Sequence, residues 1–223
     1  AELKKQFNVE VLTLNFDVRD RQEVNAAITS LPHEWKQIDL LINNAGLAAG
    51  LDFINEGSID DWDQMIDTNV KGLLYVTKAI LPFMIENKSG HIINIGSTAA
   101  KYVYEKGNVY CASKFAVDAL TQGMRIDLLK HHIKVTAIHP GAAETEFSVV
   151  RFKGDQEKAK NVYKGYQPMS ADDIADTVYY CATLPSHVCI NELVIAPTAQ
   201  ANPFYVDRNM YPSQKSAYLF GKK

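Results

Sequence analysis

The stretch HIINIGS, His91–Ser97, sets the reading of the fold. Its apolar residues run almost without a break and end on Gly-Ser, a pattern that suits a parallel strand buried on both faces. Similar runs recur at VEVLTLNF (Val9–Phe16), IDLLINN (Ile38–Asn44), IKVTAIHPG (Ile133–Gly141) and NELVIAP (Asn191–Pro197). Helical spacing fills the gaps from about Arg21 to Trp35, Ser58 to Asn87, Asn108 to His131 and Ser170 to Leu184. Ser58 and Ser170 stand at helix starts, each followed by a pair of aspartates in the favourable first turn. In the third helix Ala112, Phe115, Ala116, Ala119 and Leu120 form an apolar stripe. Strand–helix–strand repetition predicts an α/β fold, an open parallel sheet with right-handed crossovers and helices on both faces.

Composition narrows the function classes. Of 223 residues 47% are hydrophobic and 22% charged, as in a packed soluble domain. A formal net charge of −3, with no basic cluster longer than two lysines, argues against nucleic acid or an anionic membrane as a partner. Cys111, Cys181 and Cys189 form no CxxC pair, and an odd count does not close into internal bridges, which fits a reducing, cytoplasmic compartment. The six histidines show no HExxH or comparable spacing, so no protein-bound metal is expected. The long apolar run GLLYVTKAILPFMI is interrupted by Lys78 and too short to span a bilayer.

Chemistry concentrates around VYCASK, Val109–Lys114. Tyr110 and Lys114 are i and i+4 on one helix face, and Ser97 stands thirteen positions before Tyr110 at a strand's C-terminal end. A tyrosine titrates near 10. A neighbouring cation favours the phenolate and is expected to bring Tyr110 down toward a working range, as general acid–base for an alcohol–carbonyl interconversion. Ser97 would hold the substrate oxygen, and Lys114 has donors to spare for cofactor hydroxyls. A lone Tyr-x-x-x-Lys pair is weak, but its neighbours add weight. NNAG (Asn43–Gly46) ends a strand with a glycine suited to close approach. NVKG (Asn69–Gly72) sets an Asn inside a helix, where its side chain competes with the backbone. HPGAAETEF (His139–Phe147) turns at another strand end and offers Thr145 as a donor.

Together with DV (Asp17–Val18) and TNVKG, these motifs make the chain, from about Val9 to about Ala199, resemble a short-chain dehydrogenase/reductase. The resemblance implies a Rossmann-type doubly wound parallel sheet. It also implies a catalytic set of Asn69, Ser97, Tyr110 and Lys114, with Asn69 holding a water that links Lys114 to solvent. By the same resemblance Asp17 and Val18 would meet the adenine, and Asn43, Ala45 and Gly46 the adenosine ribose. Thr145, after the Pro140–Gly141 turn, would bind the nicotinamide carboxamide. GLAAGLD, EGSIDDWDQMIDTNVKGLLYVT, IGSTAAK and TEFSVVRFKGD resemble the serine/3-hydroxy acid dehydrogenase branch. That branch implies NADP as cofactor, with NAD still open, and a small 3-hydroxy acid, serine or threonine as substrate. Arg151 or Lys153 would provide the cation for a carboxylate; the other reading of Arg151 is a surface arginine paired with Asp155 or Glu157. A sugar, diketone or acyl thioester substrate, or a dinucleotide sensor without turnover, remain alternatives.

The segment Glu144–Gln167 breaks the strand–helix rhythm at a strand's C-terminal end, where open α/β sheets bind ligands, and reads as a lid or as a surface insertion. No GxxxGxG or GxGxxG occurs in these residues, and AELKKQF reads as the end of a helix. By the resemblance, Val9–Phe16 is the family's third strand, so a β–α–β unit of roughly 30 residues or more is expected before it. That unit would hold the pyrophosphate and separate NAD from NADP. The chain is therefore expected to be an N-terminally incomplete form of a longer protein, the alternative being one that has shed the motif. Residues 1–200 read as one domain and 201–223 as an irregular tail whose aromatics could dock on another subunit. A homotetramer or homodimer is the expected assembly.

Overall fold

The computed structural model describes residues 2–210. A short helix α1 (Glu2–Phe7) is followed by an extended segment and α2 (Arg21–Thr29), whose N-cap Asp20 accepts from the Gln22 and Glu23 amides. Then come β1 (Leu40–Asn43), α3 (Ile59–Ile66), a π-helical turn at Asp67–Gly72, α4 (Leu73–Asn87) and β2 (Gly90–Ile95). α5 (Asn108–Asp127) leads into β3 (Ile133–Pro140), the short α6 (Glu146–Arg151) and α7 (Gln156–Val162), then α8 (Ala171–Ala182) and β4 (Glu192–Ile195). The four strands form one parallel sheet in sequence order, with Asn43 opposite Asn94, Ile93 opposite Thr136 and Ile138 opposite Leu193.

Alternation along the strands divides the core between two faces. Ile92 and Val135 pack with Ile80 and Met84 of α4 and with Leu128 beyond α5. Ile93 and Ile138 pack on the opposite face with Cys181 of α8. All four of those strand residues are wholly enclosed, each such side chain contributing roughly 1.5–3 kcal/mol. Helices therefore cover both faces, as the sequence pattern implies. No helix among the described residues is long and apolar enough to cross a membrane.

Several local expectations change. Val9–Phe16 is not a strand: no neighbouring strand pairs with it among the described residues, and Val9, Val11 and Leu12 are exposed while Leu14 and Phe16 lean on the core. An extended segment without a ladder partner has only its side chains to hold it. The Arg21–Trp35 helix stops at Thr29, just before Pro32, and resumes as a single turn at His33–Trp35. Ser58 occupies the N-cap position without its hydroxyl making a capping bond, whereas Ser170 and Asp173 form a reciprocal capping box. The apolar stripe of α5 points outward: Ala112, Phe115 and Ala119 are exposed, and the buried face is Tyr110, Ser113, Lys114, Val117, Asp118 and Thr121.

Asn43 is the largest departure at a residue assigned to the cofactor. Its Nδ2 donates to Thr77 Oγ1 at 2.9 Å and to Asn94 Oδ1 at 2.8 Å, and Asn94 Nδ2 donates to Thr121 Oγ1 at 2.9 Å. The side chain thus faces the sheet core, in a polar layer joining α4, β1, β2 and α5, because the strand-end position alternates inward. Asn94→Leu should strand one Asn43 N–H and lower unfolding free energy by about 1–3 kcal/mol, read from urea denaturation; an unchanged midpoint would refute a stabilising role for this layer.

Candidate active site

The C-terminal ends of β1, β2 and β3 and the N-terminal half of α5 converge on one cleft. Tyr110 and Lys114 lie on the buried face of α5. Lys114 Nζ is 5.9 Å from the centre of the Tyr110 ring and donates to the Ile95 carbonyl at 3.0 Å. Ser97, two residues beyond Ile95, caps the turn Thr98–Ala100 by accepting from the Ala99 amide. Its hydroxyl lies beside the Tyr110 phenol and favours the ionised form. The structure thus brings Ser97, Tyr110 and Lys114 together.

Asn69 sits in the π-helical turn, where one extra residue per turn swings its amide toward the strand ends. Leu47 N–H donates to its Oδ1, and its Nδ2 donates to Leu47 O, both at 2.8 Å, and to Ser113 Oγ at 3.0 Å. The side chain clasps the loop after β1. Ala45 and Gly46 are exposed on that loop. A Cβ on Gly46 would stand 3.2 Å from Asn69 Oδ1 and 3.4 Å from Lys114 Nζ. Gly72 plays a similar part, letting Val18 approach the π-helical turn. Asp17 is exposed and fork-bonded by Arg19, which holds its carboxyl below the usual range. Pro140 and Gly141 close β3, and Thr145 is the N-cap of α6, its hydroxyl accepting from Phe147 N–H.

The segment Glu144–Gln167 holds two helices that its polar composition concealed. α6 lays Phe147 and Arg151, one turn apart, over Tyr110: ring centres of Tyr110 and Phe147 are 5.6 Å apart, and the Arg151 guanidinium is 5.6 Å from both the Tyr104 and Tyr110 rings. Arg151 Nε donates to Gly50 O at 3.3 Å, Gly50 N–H donates to Arg151 O at 3.1 Å, and Arg151 Nη2 is buried with no hydrogen-bond partner among the described residues. Asp155 and Glu157 pair instead with Lys158 and Lys160. Lys153 pairs with Asp61 at 2.9 Å, leaving Arg151 as the lid cation of the two with no carboxylate partner among the described residues. Tyr104, Phe147, Gly50 and Asp61 went unassigned in the sequence; only contact across the lid reveals them.

Burial overturns one electrostatic expectation. The lid and helix face desolvate Tyr110, and this pushes its phenol above the ordinary value, outweighing the Ser97 hydrogen bond and the Arg151 charge. Lys114 does not drive the phenol down. Burial brings the ammonium itself down to about 8.

A serine, a tyrosine and a lysine gathered at the strand ends of a parallel α/β sheet form the candidate site. Residues 1–156 match the short chain dehydrogenase family, and the chain belongs to that family. It is 48% identical over 200 residues to the NADP-dependent 3-hydroxy acid dehydrogenase YdfG of Salmonella typhi, covering 89% of this chain and 81% of that protein. With the NADP-dependent 3-hydroxy acid dehydrogenase of Schizosaccharomyces pombe it shares 41% identity over 207 residues, 93% of this chain and 80% of that one. The solved closed form of serine dehydrogenase complexed with NADP+ is 45% identical, with a TM-score of 0.87 over 91% of this chain and 82% of that one.

The Lys114 shift carries a sign for stability. Native Lys114 loses its proton near pH 8, and the unfolded chain near 10.5. Between these the unfolded state binds more protons, so this group's contribution makes stability rise with pH. Lys114→Met should remove that rise. The wild-type minus variant difference in unfolding free energy, followed from pH 8 to 10, should therefore climb; a flat difference would contradict the buried ammonium.

Proposed function

We propose that this chain is an NADP-dependent oxidoreductase acting on the carbinol carbon of a small 3-hydroxy acid, serine and threonine included, with Tyr110 as general acid–base. The observation that carries the acid is Arg151: a buried guanidinium nitrogen without a partner, held over the Tyr110 ring. An unmet buried donor is costly, and a carboxylate is its natural complement. A sugar, diketone or thioester would offer it only a neutral acceptor, a weaker partner than a carboxylate.

The strand-end cleft fits a dinucleotide: Gly46 has no Cβ to block approach, and Lys114 spends one of three N–H donors on Ile95. Asp17 and Val18 would meet the adenine, Ala45 and Gly46 the ribose beside it, and Pro140, Gly141 and Thr145 the nicotinamide end. When bound, the cofactor takes up or gives back the hydride. The chain's own residues handle the proton. Ser97 donates to the substrate oxygen and fixes it against Tyr110. As a phenolate Tyr110 would take the hydroxyl proton in oxidation, and as a phenol give a proton to the carbonyl oxygen in reduction, exchanging it with solvent between turnovers, with Lys114 as its neighbour and Asn69 supporting the loop that carries Gly46. Burial favours the protonated phenol, the form that gives a proton to a carbonyl. Phe147 and Arg151 keep bulk water from the ring.

Assembly into a homodimer or homotetramer is supported by the outward apolar residues Phe115, Ile126 and Leu129 of α5 and its extension, with Leu74 of α4. A cytoplasmic setting is supported by three free cysteines. Of the tail, Arg208 docks on the carbonyls of Val162 and Lys164, while Tyr211, Tyr218 and Phe220 lie outside the described residues.

Tyr110→Phe should lower kcat on a 3-hydroxy acid by about 10²–10⁴-fold, with NADP affinity kept within about twofold; full turnover would refute the acid–base assignment. Cofactor binding without turnover on any alcohol or carbonyl by the wild type would favour a sensor instead. Arg151→Met should raise KM for the hydroxy acid by about 10–100-fold, the loss of a charged hydrogen bond, and spare neutral alcohols. Equal loss on both substrate types would sink the carboxylate role.

A further inference from the structure

His139, the last residue of β3 but one, has a wholly enclosed side chain. Its Nδ1 lies 3.3 Å from the backbone nitrogen of Ser97 and 3.2 Å from the Ser97 carbonyl oxygen. Its Nε2 faces Asp118 Oδ1 at 3.4 Å, off the line of a hydrogen bond, and Glu192 Oε1 at 4.0 Å. Lys101 joins those carboxylates at 2.9 and 2.7 Å. The ring reaches Ser97 because residue 96 is glycine; a Cβ there would collide with Nδ1. Asp118, His139 and Glu192 could pass for a metal triad, yet the Lys101 ammonium already neutralises the acidic pair, and a dication would have to expel it.

The arrangement has a consequence for the reacting groups. Asp118 belongs to α5, four residues after Lys114 on the same buried face. The end of β2 therefore meets α5 in two places. One is a hydrogen bond, from Lys114 to the Ile95 carbonyl. The other is the His139 imidazole, whose Nδ1 meets the Ser97 backbone while its Nε2 faces the Asp118 carboxylate at 3.4 Å, an electrostatic contact. Burial and the Lys101 charge hold the imidazole below its ordinary value, against the pull of Asp118 and Glu192, so the ring is neutral. With its proton on Nε2 toward Asp118, Nδ1 accepts from Ser97 N–H.

We infer that His139 is a positioning residue: through Asp118 and the Ser97 backbone it fixes the Ser97 hydroxyl against Tyr110. The inference rests on the reading above that Ser97 holds the substrate oxygen, and displacement of such a group by about 1 Å can cost on the order of 10²-fold in rate. His139→Ala should lower kcat by about 10–100-fold with NADP affinity unchanged. His139→Asn, whose amide stands near the place of Nδ1, should restore most of it. In a Ser97→Ala background the further loss from His139→Ala should shrink to less than about twofold, because coupled residues do not add. A loss of the same factor in that background would overturn the inference, as would full kcat in His139→Ala.

Amide exchange by NMR tests the clamp without turnover. In the alanine variant Ser97 N–H should exchange about tenfold faster or more, while Ile93 and Val135 N–H stay protected. Unchanged exchange at Ser97 would overturn the inference even if kcat falls. Absence of wild-type turnover on hydroxy acids would fail the substrate reading alone, with the exchange result still deciding the clamp.

Discussion

A buried ammonium dictates much of the arrangement. Lys114 is nearly enclosed, and its one protein acceptor is the carbonyl of Ile95. Charge inside a protein is tolerated only where fixed dipoles and donors or acceptors replace water. α5 therefore docks with its polar face inward, against the usual amphipathic rule. Tyr110, Ser113, Asp118 and Thr121 share that face, and each finds a polar neighbour, in Ser97, Asn69, Lys101 and Asn94 respectively. The apolar residues left over on the opposite face point to solvent. The inversion leaves the hydrophobic stripe of α5 at the surface.

Small residues set the spacing around that ammonium. Gly46, Gly72 and Gly96 are each pressed by a side chain where a Cβ would intrude. Gly46 admits Asn69 and Lys114, Gly72 admits Val18, and Gly96 admits His139. None needs a positive φ, so sterics rather than backbone conformation require glycine here. The π-helical turn acts in the same sense, rotating Asn69 out of the helical register to clasp Leu47.

The strand and helix pattern was legible because its signals are local: apolar runs of the right length, acidic first turns, a serine three residues before an aspartate at Ser170. The clustering of Ser97, Tyr110 and Lys114 was legible too, since their spacing along strand end and helix brings the three together. What escaped depends on neighbours. Val9–Phe16 has strand composition, but a strand exists only beside another. Asn43 reads as a ligand-facing amide until Asn94, fifty-one residues later, is found opposite it in register. The α5 stripe was visible while its direction was not. α6 and α7 hide in a polar segment because their packing surface is narrow and made of aromatic and cationic side chains. His139 sat unremarked in HPGAAETEF, since nothing local shows that its ring turns back beneath Ser97.

Electrostatics at Tyr110 follow from the lid more than from its cationic neighbour. With α6 in place, desolvation favours the neutral phenol and the depressed ammonium together, so each of the two groups is less charged than in water. Restoring charge to either requires polar partners inside the cleft. Arg151 bears on the same balance from above. Its Nε is anchored to the Gly50 carbonyl, and Gly50 N–H returns a bond to its backbone oxygen, so the side chain is part of the clasp that keeps α6 down. The nitrogen left without a partner is Nη2. A carboxylate meeting Nη2 leaves the bond from Nε intact, so an acid can bind without undoing the closure. A neutral molecule of the same size offers Nη2 weaker compensation, and the buried donor then works against a closed lid. On the proposed reading, selection for an acid and exclusion of water at Tyr110 would thus draw on one guanidinium.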